Sequence, residues 1–316
     1  MRLFSRKRNL DGWMAISLQA EGVCIAHVER SSQAKYSVEM AGFYSGRMDG
    51  DAEALAKVVK ELKADRYRWT NVLSIGEYQM LSVEAPNVPP DELKTAIRWR
   101  LKDMLDYHID DATIDVLDIP VDKSARGRAH AMYAVAARNQ LIEKRQTLFD
   151  DAKLGVRVID IPEMAQRNVS ALIEPEGKGL AMLSFHSDSG LLTITHGGEL
   201  YLSRRIDVSL AQLQDLDTEQ CDAAYDRVTQ ELLRSLDHFD RQYHFVTLSK
   251  LVLAPMGELA SGLEAHLAAN LYLPVETLNL EQVLDISKVP ELKSPHAQQR
   301  YFMTVGAAMR HEVKAL

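Results

Sequence analysis

The sequence predicts an α/β protein of two similar lobes, the first enlarged by a smaller α/β insert. Twice the chain reads strand, tight turn, strand, strand and then helix, once from residue 14 and again from residue 180. Between the two runs stands "IEPEGKG", a turn-rich break in composition. A length of 316 residues is about two domains' worth at roughly 100–200 residues each. Together these place a first lobe at 1–175, an insert within it at about 71–148, and a second lobe at 176–316. The halves share pattern rather than sequence.

The elements follow in order. Residues 14–18 and 23–28 alternate apolar positions about the turn Leu18-Gln19-Ala20-Glu21-Gly22, and "YSVEMAGFYSG" continues as a third strand. The period then changes. Leu55, Val58, Val59 and Leu62 recur at helical spacing, with Asp51 placed to cap. "NVLSIGEYQMLSVEAP" reads as two short strands around Gly76-Glu77. A helix over 90–105 follows, opened by Pro89 and Pro90 and striped by Leu93, Ile97, Leu101 and Leu105. "TIDVLDIPV" and "AHAMYAVAA" are strands separated by the polar loop "DKSARGR", and a helix over 139–154 leads into the strand "VRVIDIP". In the second half, strands fill 180–206 with turns at "HSDSG" and "HGGE". After them come a long helix over 218–243, the strand "KLVLAP", the helix "GELASGLEAHLAANL", the extended "PVETLNL" and a closing helix in "QQRYFMTVGAAMRHEV".

Composition narrows the function classes. Hydrophobic residues make 46% and charged residues 26% of the chain, which supports a packed core. A net charge of −8 argues against a protein that coats nucleic acid. No apolar run approaches the roughly 18 residues of a membrane span, and the basic start "MRLFSRKRN" lacks the apolar region of a signal peptide. A cytoplasmic location is expected, with that tip as a solvated terminus. Cys24 and Cys221 belong to no CxxC pattern and read as small buried residues. The histidines match neither HExxH nor zinc-finger spacing, and there is no P-loop or GxSxG elbow. His238, flanked by Asp237 and Asp240, reads as a solvated helix face, since neighbouring helical residues do not face one another.

Four stretches carry a family resemblance. "APNVPPDELKTAIRWRLKDMLDYHIDDATIDVLDI" resembles the inserted subdomain of PilM-like proteins of type IV pilus assembly. "AVAARNQLIEKRQTLFDDAKLGVRVIDIPEMAQRNV" is similar to the family's strand, helix, glycine connection and following alanine-containing helix. "ELLRSLDHFDRQY" and "FMTVGAAMR" resemble its later helices. Within the family the pattern is most similar to the MshI branch of mannose-sensitive haemagglutinin pili, and more distantly to the cytoplasmic part of the type II secretion protein GspL. The resemblance implies an actin-like ATPase fold with ribonuclease H-like lobes and a place on an inner-membrane assembly platform.

It also implies where a nucleotide would sit. PilM-like proteins that bind ATP carry "D-I-G-S-S" in the first hairpin, the aspartate acting through Mg²⁺ and the glycine letting backbone N–H groups approach phosphate. Here Ser17 stands at the aspartate, Gln19 at the glycine, and Ala20 and Glu21 at the hydroxyls, with Gly22 behind them. In the second hairpin Ser184 and His186 take the aspartate and glycine positions, followed by Ser187, Asp188, Ser189 and Gly190. Of the nucleoside-side glycine pair only Gly257 remains, near Pro255. Glutamate repels phosphate and a glutamine Cβ obstructs backbone approach, so the expectation is no cofactor and no catalysis, with ATP–Mg as the alternative.

The implied partner is a PilN-like bitopic inner-membrane protein. Its N-terminal cytoplasmic tail would enter a groove between the first lobe and the insert, so that membrane contact is indirect. The pilus assembly ATPase is a further expected partner. Leu93, Ile97, Arg98, Trp99 and Leu101 on the 90–105 helix are the candidate contacts. The expected function is thus a binding scaffold; the alternative is an active actin-like ATPase of the pilus or type II secretion platform.

Overall fold

The computed structural model describes residues 12–30, 35–63, 67–121, 130–214, 218–257 and 260–310. The basic tip and the polar loop "DKSARGR" lie outside the described residues.

Alternating apolar side chains build an antiparallel meander of β1 (Trp13–Gln19), β2 (Gly22–Arg30) and β3 (Tyr36–Ser45). Helix α1 (Ala52–Glu61) crosses over to β4 (Arg68–Val72), which lies parallel to β1. The Asp51 carboxylate accepts from the Ala54 N–H at 2.9 Å, the expected cap. The insert then departs from this sheet. Its strands β5 (Tyr78–Glu84), β6 (Ala112–Asp118) and β7 (Ala131–Arg138) form an antiparallel sheet in the order β5-β7-β6, with α2 (Leu93–Leu101) packed on it. The two strands around Gly76-Glu77 therefore belong to different sheets. Helix α3 (Asn139–Asp151) returns the chain to the first lobe, burying Leu148 and Phe149 there, and β8 (Val156–Asp160) completes the order β3-β2-β1-β4-β8.

The second lobe repeats this plan. After α4 (Pro162–Ile173), strands β9 (Gly179–Phe185), β10 (Gly190–His196) and β11 (Glu199–Ile206) form a second meander. A short turn of helix, α5 (Leu210–Leu213), and the long α6 (Thr218–Gln242) precede β12 (Leu248–Leu253). Then follow α7 (Ala260–Asn270), β13 (Val275–Thr277) and α8 (Pro295–Ala308). The order β11-β10-β9-β12-β13, with the last two strands parallel to β9, matches the first sheet strand for strand.

The two sheets sandwich a helical layer. Ala165 and Val169 of α4 and Phe302 and Val305 of α8 share one core with Ala15 and Ala26 of the first sheet and Leu180 and Met182 of the second. On the outer faces, α1 and α3 cover the first sheet and α6 and α7 the second. The layers thus run helix, sheet, helix, sheet, helix, and each apolar face is covered. The insert is tied to the second lobe as well as the first. The Tyr133 hydroxyl on β7 donates to the Tyr201 carbonyl at 3.2 Å and accepts from the Ser203 N–H at 3.1 Å, both on β11.

Candidate functional site

Because β1 and β9 occupy the same place in their sheets, their hairpin tips meet across a cavity of about 650 Å³ between the lobes. Ser17, Gln19, Ser184, His186 and Ser187 all line it, and so do Glu21 and Asp188. Gly22 and Gly257 do not line it. A Cβ on Gly22 would sit 2.2 Å from the Tyr44 carbonyl oxygen, so this glycine is required by close packing against β3 rather than by a ligand. Gly257 holds φ +65°, a conformation that favours glycine whatever lies nearby.

The chemistry at the two strand ends differs from that of a metal-carboxylate site. The Ser184 hydroxyl is buried and donates to Gln166 Oε1 at 2.6 Å; the Gln166 amide in turn donates to the Met182 carbonyl at 2.8 Å and to Thr193 Oγ1 at 2.9 Å. These bonds tie α4 to β9 and β10. His186 lies 3.4 Å from the same hydroxyl, and burial pushes its imidazole down to about 4, against the pull of the Asp188 carboxylate. Asp188 and Glu21 sit exposed at the tips. Among the described residues no three His, Cys, Asp or Glu side chains converge as a metal-holding group. Ser17 and Ser184 thus stand at the strand ends where the resemblance implies metal-holding aspartates, and the carboxylates that do line the cavity, Glu21 and Asp188, lie in the exposed turns instead. Cys24, paired with Ser17 across the hairpin, is buried and its thiol is pushed up to about 12 by burial.

Sequence reading missed the far wall. His296, Gln299 and Arg300 of α8 enter the cavity, while the Arg300 guanidinium stacks over the Phe43 ring at 4.6 Å. Gln166 was missed too, although a lone glutamine within the apolar stripe of a helix is a readable sign of a buried polar partner. Ser74 is fixed at the cavity rim at one remove. Its N–H donates to Glu77 Oε2 at 2.8 Å, and Glu77 pairs with the buried Arg145, whose other arm holds Asp49 at 2.7 Å.

A second cavity, of about 390 Å³, lies between the first lobe and the insert. One wall is the outer strand β8, with Arg157, Val158 and Ile159; the other is β6, with Thr113, Ile114 and Asp115. Gln146 and Asp150 of α3 form part of its lining, and Lys94 pairs with Asp115 at 2.8 Å. An extended peptide suits such a place, since β8 ends its sheet with unpaired backbone groups.

The helix proposed as the partner contact is corrected by its packing. It spans Leu93–Leu101, because Pro89 and Pro90 accept turn hydrogen bonds from Glu92 and Leu93 before the helix begins. Ile97 and Leu101 are fully buried in the insert's own core and Leu93 packs against it, so these three are structural. Arg98 points inward and donates to the carbonyls of Ile109 at 2.9 Å and Ala112 at 3.1 Å. Trp99 alone of the five faces solvent, and it does not line the groove. His238 is exposed on its helix, the solvated face that its spacing predicts, while Asp237 pairs with Arg241 and Asp240 accepts from the Tyr272 hydroxyl at 3.1 Å.

Residues 46–205 match the model of the family described as type IV pilus assembly protein PilM. A solved structure of a PilM–PilN type IV pilus biogenesis complex aligns with a TM-score of 0.70 at 19% identity, over 96% of this chain and 98% of that one. A Bacteroides thetaiotaomicron protein of actin-like ATPase fold and unknown function aligns at 0.50 and 10% identity, over 92% and 98%. The cytoplasmic domain of EpsL, an inner-membrane component of the Vibrio cholerae type II secretion system, aligns at 0.43 and 18% identity, over 66% and 76%. No curated protein matches in sequence. The fold is actin-like.

Proposed function

The chain belongs to the PilM family of type IV pilus assembly proteins, and we propose that within such an assembly it acts as a cytoplasmic scaffold rather than an ATPase. In this reading it stands at the inner-membrane face, in an MshI-type pilus platform, and the groove between β8 and β6 receives the N-terminal tail of a PilN-like single-pass protein. The observation that carries the reading is the position of that groove. Every residue lining it, from Leu73 to Ile161, falls inside the stretch that matches the family model, whereas the β1–β2 tip and α8 of the interlobe cavity fall outside it. The structurally similar PilM is in complex with PilN, which supports a partner of that class. The walls offer paired and unpaired charges beside apolar side chains, the mixture that gives a peptide both register and affinity.

The test is recovery from detergent-solubilised membranes of the producing cell with the full chain as bait. The expected result is a small single-pass protein that is retained through its N-terminal tail, and that is lost when Val158→Glu fills the groove wall with charge. Retention undiminished by Val158→Glu would remove the groove from the reading. Steady phosphate release from ATP–Mg, with no membrane partner recovered, would replace the scaffold by an enzyme.

A further inference from the structure

Helix α2 leaves one feature that neither cavity accounts for. Trp99 is 74% exposed and Met104, just beyond the helix end, is 46% exposed. Thr95 and Trp99 lie one turn apart on the face opposite Ile97 and Leu101, and Asp103 is exposed just beyond the helix end. A tryptophan so placed exposes a large apolar surface left uncovered by the described residues, and such side chains are typical anchors of protein interfaces.

The charges around it identify the kind of partner. Lys94, Arg98 and Arg100 are neutralised within the insert by Asp115 at 2.8 Å, Asp110 at 3.2 Å and Glu84 at 3.7 Å. Asp91, Glu92, Asp103 and Asp111 are exposed and have no cationic side chain against them among the described residues, and Lys102 is the only cation of this segment left to offset them. Asp111 is held beside the helix because Arg98 grips the 109–112 turn. An anionic bilayer would be repelled by this rim. A basic protein segment would be drawn to it. We propose that the outward face of α2 is a second docking surface, for a Lys- or Arg-rich protein segment that places a large apolar side chain against Trp99. It is independent of the tail groove, to which Trp99 and Met104 contribute nothing.

Photocrosslinking from position 95 tests this in the intact chain in its producing cell, with benzoylphenylalanine replacing the exposed Thr95. The expected product is an adduct to a different protein, mapped by mass spectrometry to a segment of net positive charge with an aromatic or aliphatic residue. Its yield should fall about tenfold with Trp99→Ala, and comparably with Asp103→Lys combined with Asp111→Lys. Val158→Glu should leave it intact, which separates this surface from the tail groove. All these positions are solvent-facing or half-buried, and melting curves check that each variant folds. An adduct to lipid, to a second copy of this chain or to an acidic segment overturns the proposal. So does the absence of any adduct, a yield indifferent to Trp99→Ala, or loss of the adduct on Val158→Glu alone.

Discussion

His186 shows how a single position reports the state of the interlobe cavity. Its imidazole is held neutral by burial, with a value near 4 in the folded chain against about 6.5 when unfolded. Between those values the unfolded chain binds a proton that the folded chain does not, so stability falls as pH drops from about 6.5 towards 4 and then levels off. Replacing the group with His186→Asn should flatten the dependence of the melting temperature on pH in that window. A slope unchanged by the substitution would mean that the imidazole is already solvated. The serines beside it were readable as substitutions for carboxylates. What was not readable is where Ser184 turns its hydroxyl, because Gln166 is 18 residues away in sequence and only the packing of α4 on the second sheet brings the two together.

At the scale of elements, helices α4 and α8 pack closely enough to require a glycine. A Cβ on Gly306 would lie 2.4 Å from the Ala165 carbonyl oxygen, and the Gly306 carbonyl accepts from the Asn168 amide at 2.9 Å. Gly306→Val should therefore cost about 1–3 kcal/mol or more, read as a lower melting temperature without loss of helical content, because the helices must separate. Periodicity made the strands and most helices legible, since alternation and 3.6-residue spacing are local properties of the chain. It did not reveal that β4 leaves β5 for another sheet, which is decided by partners far away in sequence. It also overextended α2. The proline pair fixes two turns before the helix rather than its first residues, and Leu105 reaches the insert core from a turn after the helix has ended.

At the scale of the molecule, two sheets of identical order close on a shared helical layer, and their tips face one cavity between the lobes. If ATP–Mg bound there at a hundred times its dissociation constant, folding would gain about 2.7 kcal/mol. The scaffold reading instead expects millimolar ATP–Mg to leave the melting temperature unchanged; a rise of several degrees would contradict it. The two-lobe plan was visible in the repeated hairpin pattern, whereas the groove was not, because its walls come from β6, α3 and β8 and carry no shared motif.

The central layer also sets an order of events during synthesis. The inner face of the first sheet is complete once β8 has been made, yet Phe302 and Val305, which cover it, are translated roughly 150 residues later. At about 5–20 residues per second, that face waits about 7–30 s for its lid. A ribosome-bound chain of this protein therefore carries a half-covered apolar sheet through nearly half of its translation, with only α4 made early enough to shelter it.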